Sequence, residues 1–386
     1  MILEKGRSMV QTRKRIVLVG PMYPYRGGIA HFSETMYRGL AARGHIVEAV
    51  TFSRQYPELL FPGKTQYETG EIEDPVPARR LLDTINPITW FKTASAVAQL
   101  EPDVLIFQYW MPFFAPPFGI VARKARKVGA TVLTVVHNAI PHERRPGDRA
   151  LSRFFLRTAH GCIVMSEAVA SDLKTLGVTA PVRQVVHPVY AIFGEAVARD
   201  EARRHLGLSP SAPVLLFFGF IRRYKGLHVL LESMPRVVEA VPAVRLLVAG
   251  EFYDDAAPYR ALIEQHGLAE HVHLYADYIP NAEVPRYFGA ADVVVQPYVT
   301  ATQSGVAQIA FHFDTPAIIT DVGGLAEVVP HEQAGLVVPP EDPAALADAI
   351  IRFFNEQMAA QLTEGVRQEK PKYSWDRLYE AVEGLI

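Results

Sequence analysis

Three glycine-bearing turns hold the residues most able to do chemistry. The first is PMYPYRGGIAHF (21–32), where Gly27-Gly28 opens a helix. Adjacent glycines let a backbone approach an anion closely, and a helix start offers free N–H groups and a positive dipole end. Neither G-x-G-x-x-G nor G-x-x-x-x-G-K-[ST] is present there, so a tight turn with no ligand stands beside the anion reading. The second is FFGFIRRYKGLHVLLESM (217–234), in which Gly219 ends a strand and Arg222, Arg223 and Lys225 crowd the loop before an amphipathic helix. Three cations at a strand's C-terminal end suit the neutralisation of a diphosphate, whereas a solvated basic turn accounts better for one. The third is the turn 300–305 inside QPYVTATQSGVAQIAFHF (296–313), a stretch with no carboxylate. It offers hydroxyls and amides from Thr302, Gln303 and Gln308, and a helix start at Ser304, Gly305 and Val306. His137 closes the strand TVLTVVHN, where a buried imidazole satisfied by backbone is the plain alternative to a ligand contact.

The elements that must position these turns are legible as alternating strand and helix segments, the pattern of parallel βαβ units. In the first half the clearest strands are 15–20, 46–52, 103–110, 131–138 and 161–166, with a helix over 29–43 stopped by Gly44. A second series follows at 213–220, 244–251, 272–278, 292–298 and 316–322. Continuous apolar character implies strands buried on both faces. The expected division is a lead-in over 1–14, a first domain over 15–190, a polar connection over 191–212 and a second domain over 213–370. A last helix over 371–386 is read as able to pack back on the first domain. Two open parallel sheets whose strand ends oppose one another make a deep cleft between domains.

Bulk composition narrows the function. The 386 residues carry 39 basic and 41 acidic side chains, a net charge of −2, which argues against a nucleic-acid partner. The single cysteine, Cys162, excludes an intrachain disulfide and a cysteine-based zinc cage. No apolar run reaches the ~18–20 residues of a membrane helix. Residues 1–14 lack the apolar region of a signal peptide and read as a disordered lead-in, so a cytoplasmic location is expected.

Five features recur in order over 213–350: the turn with Gly219, Lys225 and Gly226, then VAGE, ADVVVQPY, TDVGGLAEVV and AGLVVPPEDP. With the Gly27-Gly28 loop, this ordered set resembles the nucleotide-sugar glycosyltransferases of retaining family 4. The resemblance implies an α/β GT-B fold, two Rossmann-like domains with parallel sheets facing an interdomain cleft. It also implies transfer of a hexose from a nucleoside diphosphate sugar to an acceptor hydroxyl with retention, with no metal and no cofactor beyond that donor. The sequence holds no D-x-D metal motif, in agreement. Cell-envelope glycan or polysaccharide synthesis is the expected setting.

The family signature places two glutamates in the third turn, one near the transferred sugar and one on the ribose. Here both are missing. Anchoring on Gly305 puts the two positions at Thr302 and Ala310; anchoring on Pro316 puts them at Ala301 and Ile309. Neutral amides are the expected substitutes: Gln308 on ribose hydroxyls, and Gln303 or the Thr302 hydroxyl on the donor sugar. Ser304, Gly305 and Val306 would keep the diphosphate-binding helix start. By resemblance His137 lies beside the donor sugar, and base contacts fall around Glu251 and Tyr278. The family often has an arginine where this chain has Phe220, and Arg222 or Arg223 is expected to take its place. Asp321 and Glu327, the nearest carboxylates, and His187 and His312 are expected to be structural. A different class of function is a catalytically silent nucleotide-sugar-binding scaffold or sensor.

The acceptor, a glycan or a lipid-linked one, belongs to the first domain. The stretch YWMPFFAPPFGIV (109–121) reads as an apolar, proline-broken loop at the acceptor end of the cleft. Residues 122–160 carry nine Lys/Arg against Glu143 and Asp148. Such a face suits peripheral contact with an anionic membrane, or simple solvation.

Overall fold

The structure is a computed structural model and describes residues 13–57, 65–68, 74–141, 145–189, 193–301 and 304–386. The first sheet is built from β1 (Arg15–Val19), β2 (Ile46–Arg54), β3 (Ala78–Asp83), β4 (Val104–Tyr109), β5 (Thr131–Val136), β6 (Gly161–Val164) and β7 (Val182–Gln184). All pairings are parallel, in the order β3-β2-β1-β4-β5-β6-β7. Its crossovers are α1 (Gly28–Ala42), α2 (Pro87–Gln99), α3 (Ala115–Lys127), α4 (Asp148–Leu156) and α5 (Glu167–Thr175). Helix α6 (Arg199–His205) then leads into the second sheet.

That sheet is also parallel, ordered β10-β9-β8-β11-β12-β13. Its strands are β8 (Val214–Phe218), β9 (Arg245–Ala249), β10 (Val272–Tyr275), β11 (Val293–Gln296), β12 (Ala317–Thr320) and β13 (Gly335–Val338). The helices between them are α7 (Leu227–Ala240), α8 (Ala257–Gln265), α9 (Val284–Ala290), α10 (Gly305–His312) and α11 (Leu325–Val328). Three more close the chain: α12 (Pro343–Asn355), α13 (Ala359–Glu369) and α14 (Trp375–Glu383).

Both sheets reverse their winding at their first strand, β1 between β2 and β4 and β8 between β9 and β11. Ligands enter open α/β sheets at such a reversal, outside the C-terminal strand ends. The Gly27-Gly28 loop leaves the first reversal and the 219–226 turn the second. One apolar core joins the α1 face of the first sheet (Ile16, Leu18, Phe32) to α10 (Val306, Ala307) and α14 (Leu378, Val382). The opposite face of the first sheet packs against α2, α3, α4 and α5. Helix α14 returns to the first domain: Trp375 Nε1 donates to the Val189 carbonyl at 2.9 Å, and Arg43 Nε to Glu383 at 2.7 Å.

The stretch 109–121 is not a loop. After β4 it makes one 3-10 turn over Pro112–Phe114 and then enters α3. Its prolines occupy first-turn positions, where a missing N–H costs the helix nothing. Phe114, Phe118 and Val121 are fully buried, so most of its apolar character fills the first domain's core instead of lining a cleft. Strands β3, β7 and β13 were not expected from the sequence. All three are edge strands; β7 is exposed throughout and β3 half-exposed, and neither of these carries the apolar run that marks a buried strand, whereas β13 is a mostly buried run of four residues.

Candidate active site

The 219–226 turn is shaped by backbone packing. Gly226 has φ +74, and a Cβ there would sit 1.7 Å from the Pro297 carbonyl oxygen; one on Gly250 would sit 2.0 Å from the Gly219 carbonyl oxygen. Only glycine lets these chains approach so closely. The turn thereby presents Lys225 inward. Its Nζ donates to the Tyr298 hydroxyl at 3.1 Å and lies 5.0 Å from that ring's centroid. Tyr298 in turn pairs with Ser304 Oγ at 3.3 Å. Ser304 also donates to the Gln296 side chain, so its hydroxyl is spent and no side chain caps α10. Nor does a side chain cap α1 at Gly27. Two helix starts and one ammonium therefore converge from opposite domains.

They converge on a cavity of about 200 Å³. Gly27, Gly28 and His31 form its first-domain wall; Gly219, Phe220, Lys225, Glu251, Tyr278, Gly305, Val306 and Ile309 form much of the other. Lys225 and Glu251 are the charged side chains on it. Burial pushes the Lys225 ammonium towards neutrality, but the oxygens of Tyr298 and Tyr224 more than offset this and hold its pKa above the ordinary lysine range. Glu251 is ion-paired with Arg26 from the first domain, both side chains almost fully buried. Burial lowers the His31 pKa to about 4, so it is a neutral imidazole near pH 7, beside the Asn281 amide at 3.2 Å. The cavity can thus receive negative charge at Lys225 and the helix starts.

The candidate binding and catalytic residues brought together here are Gly27, Gly28, Lys225, Glu251, Tyr278, Gly305 and Val306, beside Gly219 and Phe220 of the second turn. Ser304 stands just behind them. Thr302 and Gln303 lie outside the described residues. Arg222 and Arg223 are off the wall, Arg222 over the Tyr253 ring at 5.3 Å and Arg223 exposed, its backbone N–H on Asp254. His137 lies behind α1, with Nε2 2.7 Å from Gln108 Oε1 and its ring edge-on to Phe32. Burial depresses its pKa to about 3, which keeps it neutral. Asp321 and Glu327 are exposed and away from the cavity, and His187 and His312 bond to backbone carbonyls. Arg26 and His31 were missed; a lone arginine beside glycines and a histidine on a helix carry no motif.

Gln308 is fully buried and absent from the wall, where its neighbour Ile309 stands instead. Of the two registers of the glutamate pair, the one anchored on Pro316 therefore puts its second position on the cavity. Neither amide atom of Gln308 has a hydrogen-bond partner. An unpaired buried amide costs roughly 1–3 kcal/mol, and an apolar side chain of similar shape removes that cost. Gln308→Met is expected to raise stability by about 1 kcal/mol and leave nucleotide affinity within about threefold of wild type. Thermal denaturation and calorimetric titration check this; a large loss of affinity would return Gln308 to the ligand.

Two family models match separate stretches of the chain. Residues 27–189 match the family model "Glycosyl transferase 4-like domain" and residues 212–356 match "Glycosyl transferases group 1". A D-inositol 3-phosphate glycosyltransferase from Corynebacterium urealyticum is 32% identical over 190 residues, 47% of this chain and 45% of that protein. One of the same description from Acidothermus cellulolyticus is 28% identical over 390 residues, covering 93% and 85%. The chain spans about half the length of most of the curated relatives it matches. Among solved structures, Anabaena HepE in complex with UDP-glucose superposes with a TM-score of 0.74 at 14% identity, covering 96% of this chain and all of the other.

Proposed function

We propose, from the premise that this chain is a GT-B glycosyltransferase with a 4-like domain followed by a group 1 domain, that it transfers a hexose from a nucleoside diphosphate sugar to an acceptor hydroxyl with retention. The observation that carries the reading is the cavity at the two sheet reversals, where Lys225 and two uncapped helix starts face one another. A sugar leaving a diphosphate develops negative charge on that diphosphate, and fixed donors aimed there lower the barrier. Lys225 and the first turns of α1 and α10, neither with a side-chain cap, supply those donors. Glu251, the carboxylate on the wall, is held by Arg26 and is not free to attack the anomeric carbon. Front-face attack by the acceptor, assisted by the departing phosphate, is the route this arrangement supports. Metal independence and a role in cell-envelope glycan synthesis rest on the family resemblance.

The test is release of nucleoside diphosphate from UDP-, GDP-, ADP- and dTDP-sugars, with direct binding measured alongside. UDP-glucose heads the panel because HepE binds it. Turnover of one donor is the expected result. Tight binding without turnover, across a panel of acceptors, favours the silent binding protein. No binding to any of the four overturns the reading.

The acceptor side of the reading includes a lipid-linked glycan and peripheral contact with the inner face of the membrane. Helices α2, α3 and α4 form one layer over the first sheet. Arg123, Arg126, Lys127 and Arg157 gather around one open pocket on it, and none pairs with a carboxylate among the described residues. Phe154 of α4, 42% exposed, lies against this cluster, its ring centroid 4.0 Å from the Arg123 guanidinium. No helix among the described residues is long and apolar enough to cross a membrane. Cations beside exposed apolar side chains suit an anionic bilayer surface, at about 1 kcal/mol per cation near it. The triple variant Arg123→Glu, Lys127→Glu, Arg157→Glu is expected to lower affinity for phosphatidylserine vesicles at least tenfold in co-sedimentation. Wild-type binding that ignores anionic lipid content removes the membrane contact.

A further inference from the structure

Arg26 immediately precedes the Gly27-Gly28 loop yet reaches across the cleft into the second domain. Its guanidinium lies 4.3 Å from the Tyr278 ring centroid and 5.8 Å from that of Phe220, both on the cavity wall. It is paired with Glu251, also on the wall, and its side chain is 3% exposed. A guanidinium has five N–H donors in a planar fork. Glu251 takes one at Nη2, while Nε has no partner. A buried cation with a donor unfilled, beside a cavity suited to anions, is costly unless something fills it.

On the second-domain wall Lys225 is the one cation among the described residues, and position 220 beside Gly219 is a phenylalanine. Arg26, delivered by the opposite domain, is not itself on the wall but sets its guanidinium against Phe220 and Tyr278, which are. Resting on the donor reading above, we infer that Arg26 binds the diphosphate of the donor, in place of a basic side chain at position 220. Glu251 is a positioning residue that holds the guanidinium over Phe220 and Tyr278. Because the fork has donors to spare, Arg26 keeps Glu251 while it binds phosphate oxygen.

Calorimetric titration of nucleoside diphosphate and of the matching nucleoside into four proteins tests this. Wild type, Arg26→Ala, Arg26→Lys and the double variant Arg26→Ala, Glu251→Ala are compared, the last removing both buried charges at once. A hydrogen bond to a charged group supports a loss of about 10- to 100-fold on removal. Arg26→Ala is expected to weaken the diphosphate by that factor and the nucleoside by less than about twofold; the double variant is expected to weaken the diphosphate at least as much, whatever Glu251 adds on the base. Arg26→Lys, which keeps the charge but not the fork, is expected to recover part of the loss. Equal losses for both ligands would make Arg26 a structural brace, and unchanged or tighter diphosphate binding would make it an obstruction. Either overturns the inference while leaving the donor reading intact. Failure of wild type to bind any nucleoside diphosphate sinks both.

Discussion

Lys225→Ala is expected to lower kcat/KM for the donor by about 10²–10³, the usual cost of removing one donor aimed at developing charge. The same change at Arg222 or Arg223 is expected to cost less than about threefold. Of the three cations in the turn, only Lys225 is on the cavity wall. Its removal leaves little damage behind, because the Tyr298 hydroxyl still has Ser304 Oγ at 3.3 Å. Lys225→Arg is not a neutral control: a planar fork does not fill the place of a compact ammonium. Steady-state kinetics on whichever donor the panel identifies, with circular dichroism to confirm folding, measures the effect. A loss at Arg222 as large as at Lys225 would mean that the turn rearranges when the donor binds and that this cavity is not its bound form.

The contrast within that turn shows where sequence reading stops. Composition of the turn announced an anion site, but three cations in four residues look alike in a string. Gly226 and Gly250, pressed on the Pro297 and Gly219 carbonyls, decide which one faces inward. The interior strands were legible because parallel strands covered on both faces must be apolar throughout. Edge strands β3 and β7 escaped because that requirement lapses at an edge, and β13 because a run of four residues, Gly335–Val338, is too short to stand out. The third turn failed for a different reason. One residue along a helix turns a side chain by ~100°, so the amide chosen one helical turn past Ser304-Gly305, Gln308, is sealed in the core while its neighbour Ile309, the second position in the register anchored on Pro316, is on the cavity. Arg26 was beyond reach altogether: its partner Glu251 is 225 positions away.

The connection between the domains was read as polar, and its buried ion pair yields the largest expected loss of stability. Arg203 on α6 is fully buried. Its Nε donates to the Ala290 carbonyl at 3.0 Å and its Nη2 to Asp292 at 3.0 Å. Asp292 also accepts the Val214 N–H at 2.7 Å and pairs with Arg199 at 2.7 Å. The cluster ties α6 to the starts of β8 and β11, adjacent strands whose far ends carry the Gly219 and 298–305 turns. Asp292→Ala would leave a buried guanidinium without its counter-charge and a backbone N–H without an acceptor. Breaking such a pair costs about 3–5 kcal/mol, and Asp292→Ala is expected to lose that much in urea unfolding followed by circular dichroism. Asp292→Asn keeps an acceptor for Val214 and should lose less. The double variant Arg203→Met, Asp292→Leu should recover much of the loss, because two apolar side chains carry no desolvation cost. If the double variant is as unstable as Asp292→Ala, the cost comes from the backbone bonds to Val214 and Ala290 and not from the stranded charge. If Asp292→Ala loses less than about 1 kcal/mol, Arg203 has found water, and α6 is held to the second domain by apolar packing alone.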